Sequence, residues 1–271
     1  DGIYGFSIVG GIDERQLVGK PVIVGREHVP GVIGAKAIHL TTPEERKTAL
    51  KLEQLRIDLG PDGSGLAKVG DRAGFATRFS EVGPSIRAKA LDNRLGVFNL
   101  IELLRSAPEN IDLLAAFTVQ EEVGLRGARV AAYHFNPQIG IAVDSTPAND
   151  LPLYDEDSEN TRYNTRLDRG PAIYLMDGAT IADRRLAEWL MKTAEDEGIP
   201  YQIRQPNPGG TDAGAIHKTR AGVPSISVSV PQRYCHTAAG LIRKSDWEDT
   251  LRLLSAALSR LNSKILTPLE A

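Results

Sequence analysis

The chain has 271 residues, enough for one large or two ordinary domains. Its 32 basic and 35 acidic side chains give a net charge of -3, which leaves no electrostatic footprint for nucleic acid or an anionic membrane surface and points to a small-molecule or peptide ligand. The single cysteine, Cys235, excludes an internal disulfide framework and fits a cytoplasmic setting, and no apolar run is long enough to span a bilayer as a helix.

The chain opens on Asp1-Gly2, a strong two-residue hairpin signal, followed by the strand-like run IYGFSIV. With nothing in front to pair with, that run raises the expectation of a strand missing at the amino end. Residues 3 to 79 read as short β-branched pieces broken by glycine and predict a small barrel or sandwich. One helix is expected from Pro43 to Leu52, capped by Thr42, with Glu44 and Glu45 at the positive end of its dipole. His28 and His39 are isolated and read as surface or hydrogen-bonded residues. After Gly83-Pro84 the pattern changes to longer strands and helices in alternation, the mark of βαβ units on a parallel sheet. Helices are expected at 93–105, 127–133, 181–197, 245–262 and, briefly, within 209–219; strands at 113–119, 139–143, 171–176, 201–204 and 223–230. The division expected is a β-rich domain over 1–83 and an α/β domain over 84–271.

The stretch Thr118 to Gly127, TVQEEVGLRG, follows the apolar run LLAAFTV and places Glu121 and Glu122 at the carboxyl end of a predicted buried strand. Ligands bind at that edge of open α/β sheets, so paired carboxylates there suit metal and acid–base chemistry, although a solvated strand–helix turn would carry the same residues. Asp92 precedes a helix in KALDNRLG and also fits an N-cap. Asp144 ends IAVD and also fits the start of a turn. His236 follows a strand in RYCHT; its neighbour Cys235 suggests a Cys–His pair, but adjacent side chains of an extended segment point to opposite faces. Gathered along one sheet edge, three carboxylates and an imidazole would suit zinc, cobalt or manganese. A carboxylate bridging two ions about 3.5–4 Å apart would let them activate a shared water, with the remaining Glu taking its proton. There is no GxSxG elbow, no GxGxxG and no phosphate loop.

The segments KALDNRLG, TVQEEVGLRGA, AVDST, GGTDAGAIH and RYCHT, in this order and spacing, resemble the tetrahedral aminopeptidases, a family of dinuclear-metal exopeptidases that includes glutamyl aminopeptidases and proteins labelled cellulase or endoglucanase. The resemblance covers essentially the whole chain. It implies a zinc-peptidase-like α/β domain with a mostly parallel sheet, carrying an inserted, barrel-like dimerisation domain. It implies that Asp92 bridges two metal ions, that Glu122 and His236 complete one site, that Asp144 belongs to the other and that Glu121 is the general base. Gly210, Thr211 and Asp212 fall on the stretch that shapes the family's substrate pocket; Asp212 also fits a helix cap, and His217 is a candidate pocket residue. Gly124, Gly127, Gly209 and Gly210 also suit tight turns. The family places a further ligand in a His-x-Asp motif upstream of the insert, which no residue of this sequence matches. The activity implied is removal of residues from the amino end of short peptides, with two divalent ions per subunit, in a dodecamer built from dimers around an enclosed chamber. Two other readings compete: an N-acyl amino acid deacylase of related architecture, and a catalytically silent oligomerising scaffold. First-residue preference would reside in loops around Asn149 to Asn164 and Gln205 to Gly210.

Overall fold

The first strand finds its partner far downstream. β1 (Ile3–Tyr4) pairs antiparallel with Ile57 and Asp58, and the Leu59 N–H donates to the Gly2 carbonyl at 2.8 Å. This corrects the expectation of an unpaired opening strand: a local hairpin signal cannot report a partner that distant in sequence. The structure, a computed structural model, describes residues 1–153, 159–206 and 208–267. They divide into two units, one made of Asp1–Ser80 with Arg87–Ala90 and His236–Gly240, the other of Glu81–Ile86, Leu91–Cys235 and Leu241–Ala271.

In the first unit β2 (Pro21–Val24), β3 (Val29–Gly34), β4 (Arg56–Asp58) and β5 (Ala73–Phe75) join β1 in an antiparallel row, β1-β4-β3-β2-β5. Val22, Val24, Ile33, Leu55 and Ile57 form its core with Leu17. The helix expected from Pro43 to Leu52 is replaced by single 3-10 turns at Glu45–Lys47 and Leu52–Gln54. Thr42 and Glu45 do cap one another, the Glu45 N–H donating to Thr42 Oγ1 at 3.2 Å and the Thr42 N–H to Glu45 Oε2 at 2.7 Å. Neither turn buries a side chain, so no apolar stripe extends it into a helix.

The remaining elements are β6 (Ser80–Val82), β7 (Ser85–Ala88), α1 (Leu91–Arg105), α2 (Arg126–Phe135), β8 (Gly140–Pro147), β9 (Ala172–Ile173), α3 (Arg184–Asp196), β10 (Gln202–Ile203), α4 (Ala213–Ile216), β11 (Ser225–Gln232), β12 (Gly240–Arg243) and α5 (Lys244–Arg260). β8 and β11 run parallel from Gly140↔Ser225 to Pro147↔Gln232, and β9 and β10 are also parallel, but β9 meets β11 antiparallel. The four-stranded sheet, β10-β9-β11-β8, is therefore mixed rather than uniformly parallel. β11 is buried along its whole length, with Ile226 and Val228 on the face that packs against Leu186, Leu190, Leu253 and Leu254. β8 continues three residues past Asp144, which lies inside the strand and not at its end. Leu113 to Val119 alternates between half-buried and exposed but makes no ladder pairing with another described strand. Among the described residues no helix is long and apolar enough to cross a membrane.

Asp246, in the first turn of α5, is 1% exposed, and its two carboxylate oxygens each accept a backbone N–H at 2.8 Å, from Asp168 and Gly170. Burial pushes its pKa up to about 6 against the pull of those hydrogen bonds. A carboxyl group whose folded value lies above its unfolded one stabilises the fold most when protonated, and that contribution is lost as pH rises through about 6. The unfolding free energy of the natural chain should therefore fall relative to Asp246→Asn by about 2 kcal/mol between about pH 4 and pH 7, measured by urea denaturation. A difference that stays flat would mean the carboxylate ionises as freely folded as unfolded.

Candidate metal centre and active site

Asp92 and Asn93 have non-helical backbone angles at the head of α1, and the peptide between them is cis. The Gly96 N–H donates to Asn93 Oδ1 at 2.9 Å, so Asn93 caps the helix and not Asp92. Asn93 Nδ2 donates at 2.7 Å to the Val143 carbonyl, one residue before Asp144. This clasp lets α1 lie unusually close to β8. A Cβ added at Gly96 would stand 2.6 Å from the Val143 oxygen and 2.5 Å from Asn93 Oδ1.

Glu121 and Glu122 lie on a tight turn into α2 that is entered through Gln120 and left through Leu125, both left-handed, at φ of 61° and 55°. The Gly124 and Leu125 N–H groups donate to the Glu121 carbonyl at 3.0 and 2.9 Å. Gly127 packs so tightly on Val119 that a Cβ there would meet its backbone at 2.5 Å, which explains the glycine without any substrate contact. His236 sits on the turn after β11, also left-handed, with φ of 58°.

These turns bring one ligand atom each of Asp92, Glu122 and His236 to within 4.8 Å of one another, Asp92 half-buried and the other two exposed. Asp144 is 8% exposed. Its pKa is raised well above the usual carboxylate range, first by burial, then by the charge of Asp92 and further by Glu121 and Asp212, against the Ser145 N–H that it accepts at 2.8 Å. Cys235 senses Asp92, Asp144 and Glu122, and burial above all, with these charges, pushes its thiol up. Its Sγ donates to the Gln232 carbonyl at 3.6 Å, and a thiol held protonated is no nucleophile, which disposes of the Cys–His pair. Two carboxylates and an imidazole with their donors converging fit a divalent ion such as zinc, cobalt or manganese, and the neighbouring buried acid adds to the need for a cation.

Of the expected pocket residues, Thr211 is buried, with Oγ1 at 2.6 Å from Ser227 Oγ. Asp212 accepts from Thr118 Oγ1 at 2.5 Å, and burial raises its pKa. Asp212 makes no side-chain cap on α4, whose Ala213 N–H instead donates to Thr211 Oγ1 at 3.2 Å. Gly210 lies against Ala179. His217 Nδ1 lies 2.8 Å from the Ala213 carbonyl of its own helix, a bond that occupies the ring nitrogen locally. Of the loops expected to set first-residue preference, 154–158 and 207 lie outside the described residues. The Asn93 clasp was missed in the sequence because an Asx cap was assigned to its neighbour, and the Arg233–Asp150 ion pair, 2.6 Å, because nothing local announces it.

The sequence model of the M42 glutamyl aminopeptidases matches residues 1–253. The chain belongs to this family. Its members are metal-dependent peptide hydrolases. The lysyl aminopeptidase of Pyrococcus furiosus is 28% identical over 281 residues, covering 99% of this chain and 78% of that protein. The crystal structure of a TET aminopeptidase from the marine sediment archaeon Thaumarchaeota archaeon SCGC AB-539-E09 matches with a TM-score of 0.87 at 30% identity, over 97% of this chain and 76% of that one. The Pyrococcus horikoshii TET1 peptidase, which can assemble into a tetrahedron or a large octahedral shell, matches with a TM-score of 0.79 at 33% identity, over 96% and 78%.

Gly96→Ala should destabilise the chain by about 1–3 kcal/mol, because the Val143 backbone and the Asn93 amide that bonds to it must move to admit the methyl group. Gly5→Ala, where an added Cβ meets nothing within 4 Å, should change stability little. Urea denaturation of both variants checks this; equal effects would show that the close approach of α1 to β8 is not a constraint.

Proposed function

We propose that this chain is a metal-dependent aminopeptidase that removes single residues from the amino end of short peptides with two divalent ions per subunit. The observation that carries the reading is the convergence of Asp92, Glu122 and His236 beside the buried Asp144, in a chain of the M42 family. In this reading Asp92 bridges the two ions, Glu122 and His236 complete one site and Asp144 serves the other. The ions, zinc or cobalt in first place, supply Lewis acidity for the attacking water and the scissile carbonyl. Glu121 takes the water's proton and delivers it to the departing amine. Its place on the tight turn next to Glu122 keeps it beside the metal ligands. The Thr211–Asp212 stretch, tied to Ser227 and Thr118, forms a wall for the substrate. The first unit serves to pair subunits, and the pairs build a closed shell of the kind that the TET1 peptidase forms.

Glu121→Gln should lower kcat by about 10²–10⁴-fold while metal content, read by elemental analysis, stays near that of the natural chain. Full activity in that variant would remove Glu121 from the general-base role. Asp92→Asn should lose metal from both sites; retained stoichiometry would count against a bridging carboxylate. The natural chain, dialysed against trace zinc or cobalt, should hold close to two ions.

A further inference from the structure

Among the described residues, Arg204 is a buried cation with no carboxylate in ion-pair contact. It is 5% exposed, yet among the described residues its guanidinium has one hydrogen-bond partner, the Thr146 hydroxyl at 3.2 Å from Nε. Nη1 is buried without a partner. The group lies over the Tyr174 ring, 4.6 Å from its centroid, a contact that offsets only part of the cost of desolvating a full charge. Two further polar side chains around it are uncharged. Asn164, 2% exposed, donates from Nδ2 to the same Thr146 oxygen at 3.2 Å and leaves Oδ1 unpartnered. Ser229 donates to the Tyr174 hydroxyl at 3.1 Å.

Position makes this more than an awkward core residue. Asp144 and Thr146 are two apart on β8, hence on one face of the sheet, and Ser229 stands opposite Asp144 in the parallel register. The guanidinium therefore shares a sheet face with the metal cluster, one side-chain step beyond Asp144. The Tyr174 hydroxyl feels both charges, Arg204 and Asp144.

We propose that Arg204, with Tyr174, Thr146 and Asn164 around it, is a carboxylate-binding subsite that recognises an anionic group of the peptide substrate. A carboxylate accepts from the guanidinium fork, and in a dry site such a charge-assisted pair is strong and oriented. Rotating the Asn164 amide turns Nδ2 toward the ligand as well. The acidic metal cluster and the cationic subsite together form a dipolar site, matched to a substrate with an ammonium group near a carboxylate. That carboxylate is either the side chain of an acidic first residue or the carboxyl terminus of a dipeptide. Family membership does not decide the matter, since a relative of this chain is a lysyl aminopeptidase. The inference rests on the aminopeptidase reading for its substrate but not for its measurement.

The test is binding, by calorimetry on the full chain with and without added zinc, of three probes: Glu-Ala-amide, with only a side-chain carboxylate; Ala-Ala, with only a terminal one; and Ala-Ala-amide, with neither. At least one acid should bind about tenfold or more tightly than Ala-Ala-amide, and which one does identifies the source. In Arg204→Gln that preference should vanish, and in Arg204→Lys, which keeps the charge but loses the fork, it should shrink. Equal binding of all three probes by the natural chain overturns the proposal without any variant, as does a preference that survives in Arg204→Gln. If Arg204→Gln fails to fold, an undiminished preference in Arg204→Lys overturns the forked recognition. A chain that binds the acid through Arg204 yet hydrolyses no peptide defeats the aminopeptidase reading and leaves the subsite standing.

Discussion

How closely α1 lies on β8 governs the rest of the candidate site. Asn93 does two things with one amide, accepting the Gly96 N–H and donating to the Val143 carbonyl, so the head of the helix is fixed against the residue just before Asp144. Asp92 precedes that amide and is carried with it, and its carboxylate stands within 4.8 Å of the Glu122 and His236 ligand atoms. A side chain at position 96 would force the two elements apart, since it would meet both the Val143 backbone oxygen and the Asn93 amide that clasps it. The backbone that carries Asp92 is thus fixed by the Asn93 contacts on either side of the helix head.

That closeness has an electrostatic consequence. Asp92, Glu121 and Asp212 all raise the pKa of Asp144, and Asp92, Asp144 and Glu122 all act on Cys235. Two like unit charges about 4 Å apart repel by about 4 kcal/mol at an effective dielectric of 20, so a gathering of carboxylates costs stability unless cations offset it. Folding and metal binding are therefore coupled at this edge of the sheet: the backbone that brings the acids together creates the demand for the ions. Burial first, and then the same charges, push the Cys235 thiol up.

Much of the site was legible in the sequence because its residues ride on short, punctuated segments. The turn carrying Glu121 and Glu122 announces itself through VGLRG, and His236 through its place after an apolar strand. What could not be read locally depends on distant partners. Leu113 to Val119 has the composition of a buried strand but makes no ladder with the described strands, while β1 pairs with a segment whose sequence carries no sign of it. The helix expected at Pro43 had its cap but no buried stripe, and a cap alone nucleates only a turn. Asp144 was expected at a strand end because the apolar run stops there, yet β8 continues through Ser145 and Thr146, whose side chains are buried and polar.

The antiparallel contact between β9 and β11 is the feature with the widest reach, and periodicity gave no hint of it. Because β9 runs against β11, Tyr174 starts beside Ser227, well below the catalytic edge, and Arg204 starts beside Ile173. Only side chains as long as theirs bring their tips back to the level of Ser229 and Thr146. The sheet face is therefore built from two sources. Acids are carried on α1, β8 and the turn into α2, while the long side chains of Tyr174 and Arg204, just past β9 and β10, reach the same level from below. A substitution on β9 or β10 can alter what lies beside Asp144 without touching the Asn93 clasp, so a single metal-holding frame can carry different recognition groups.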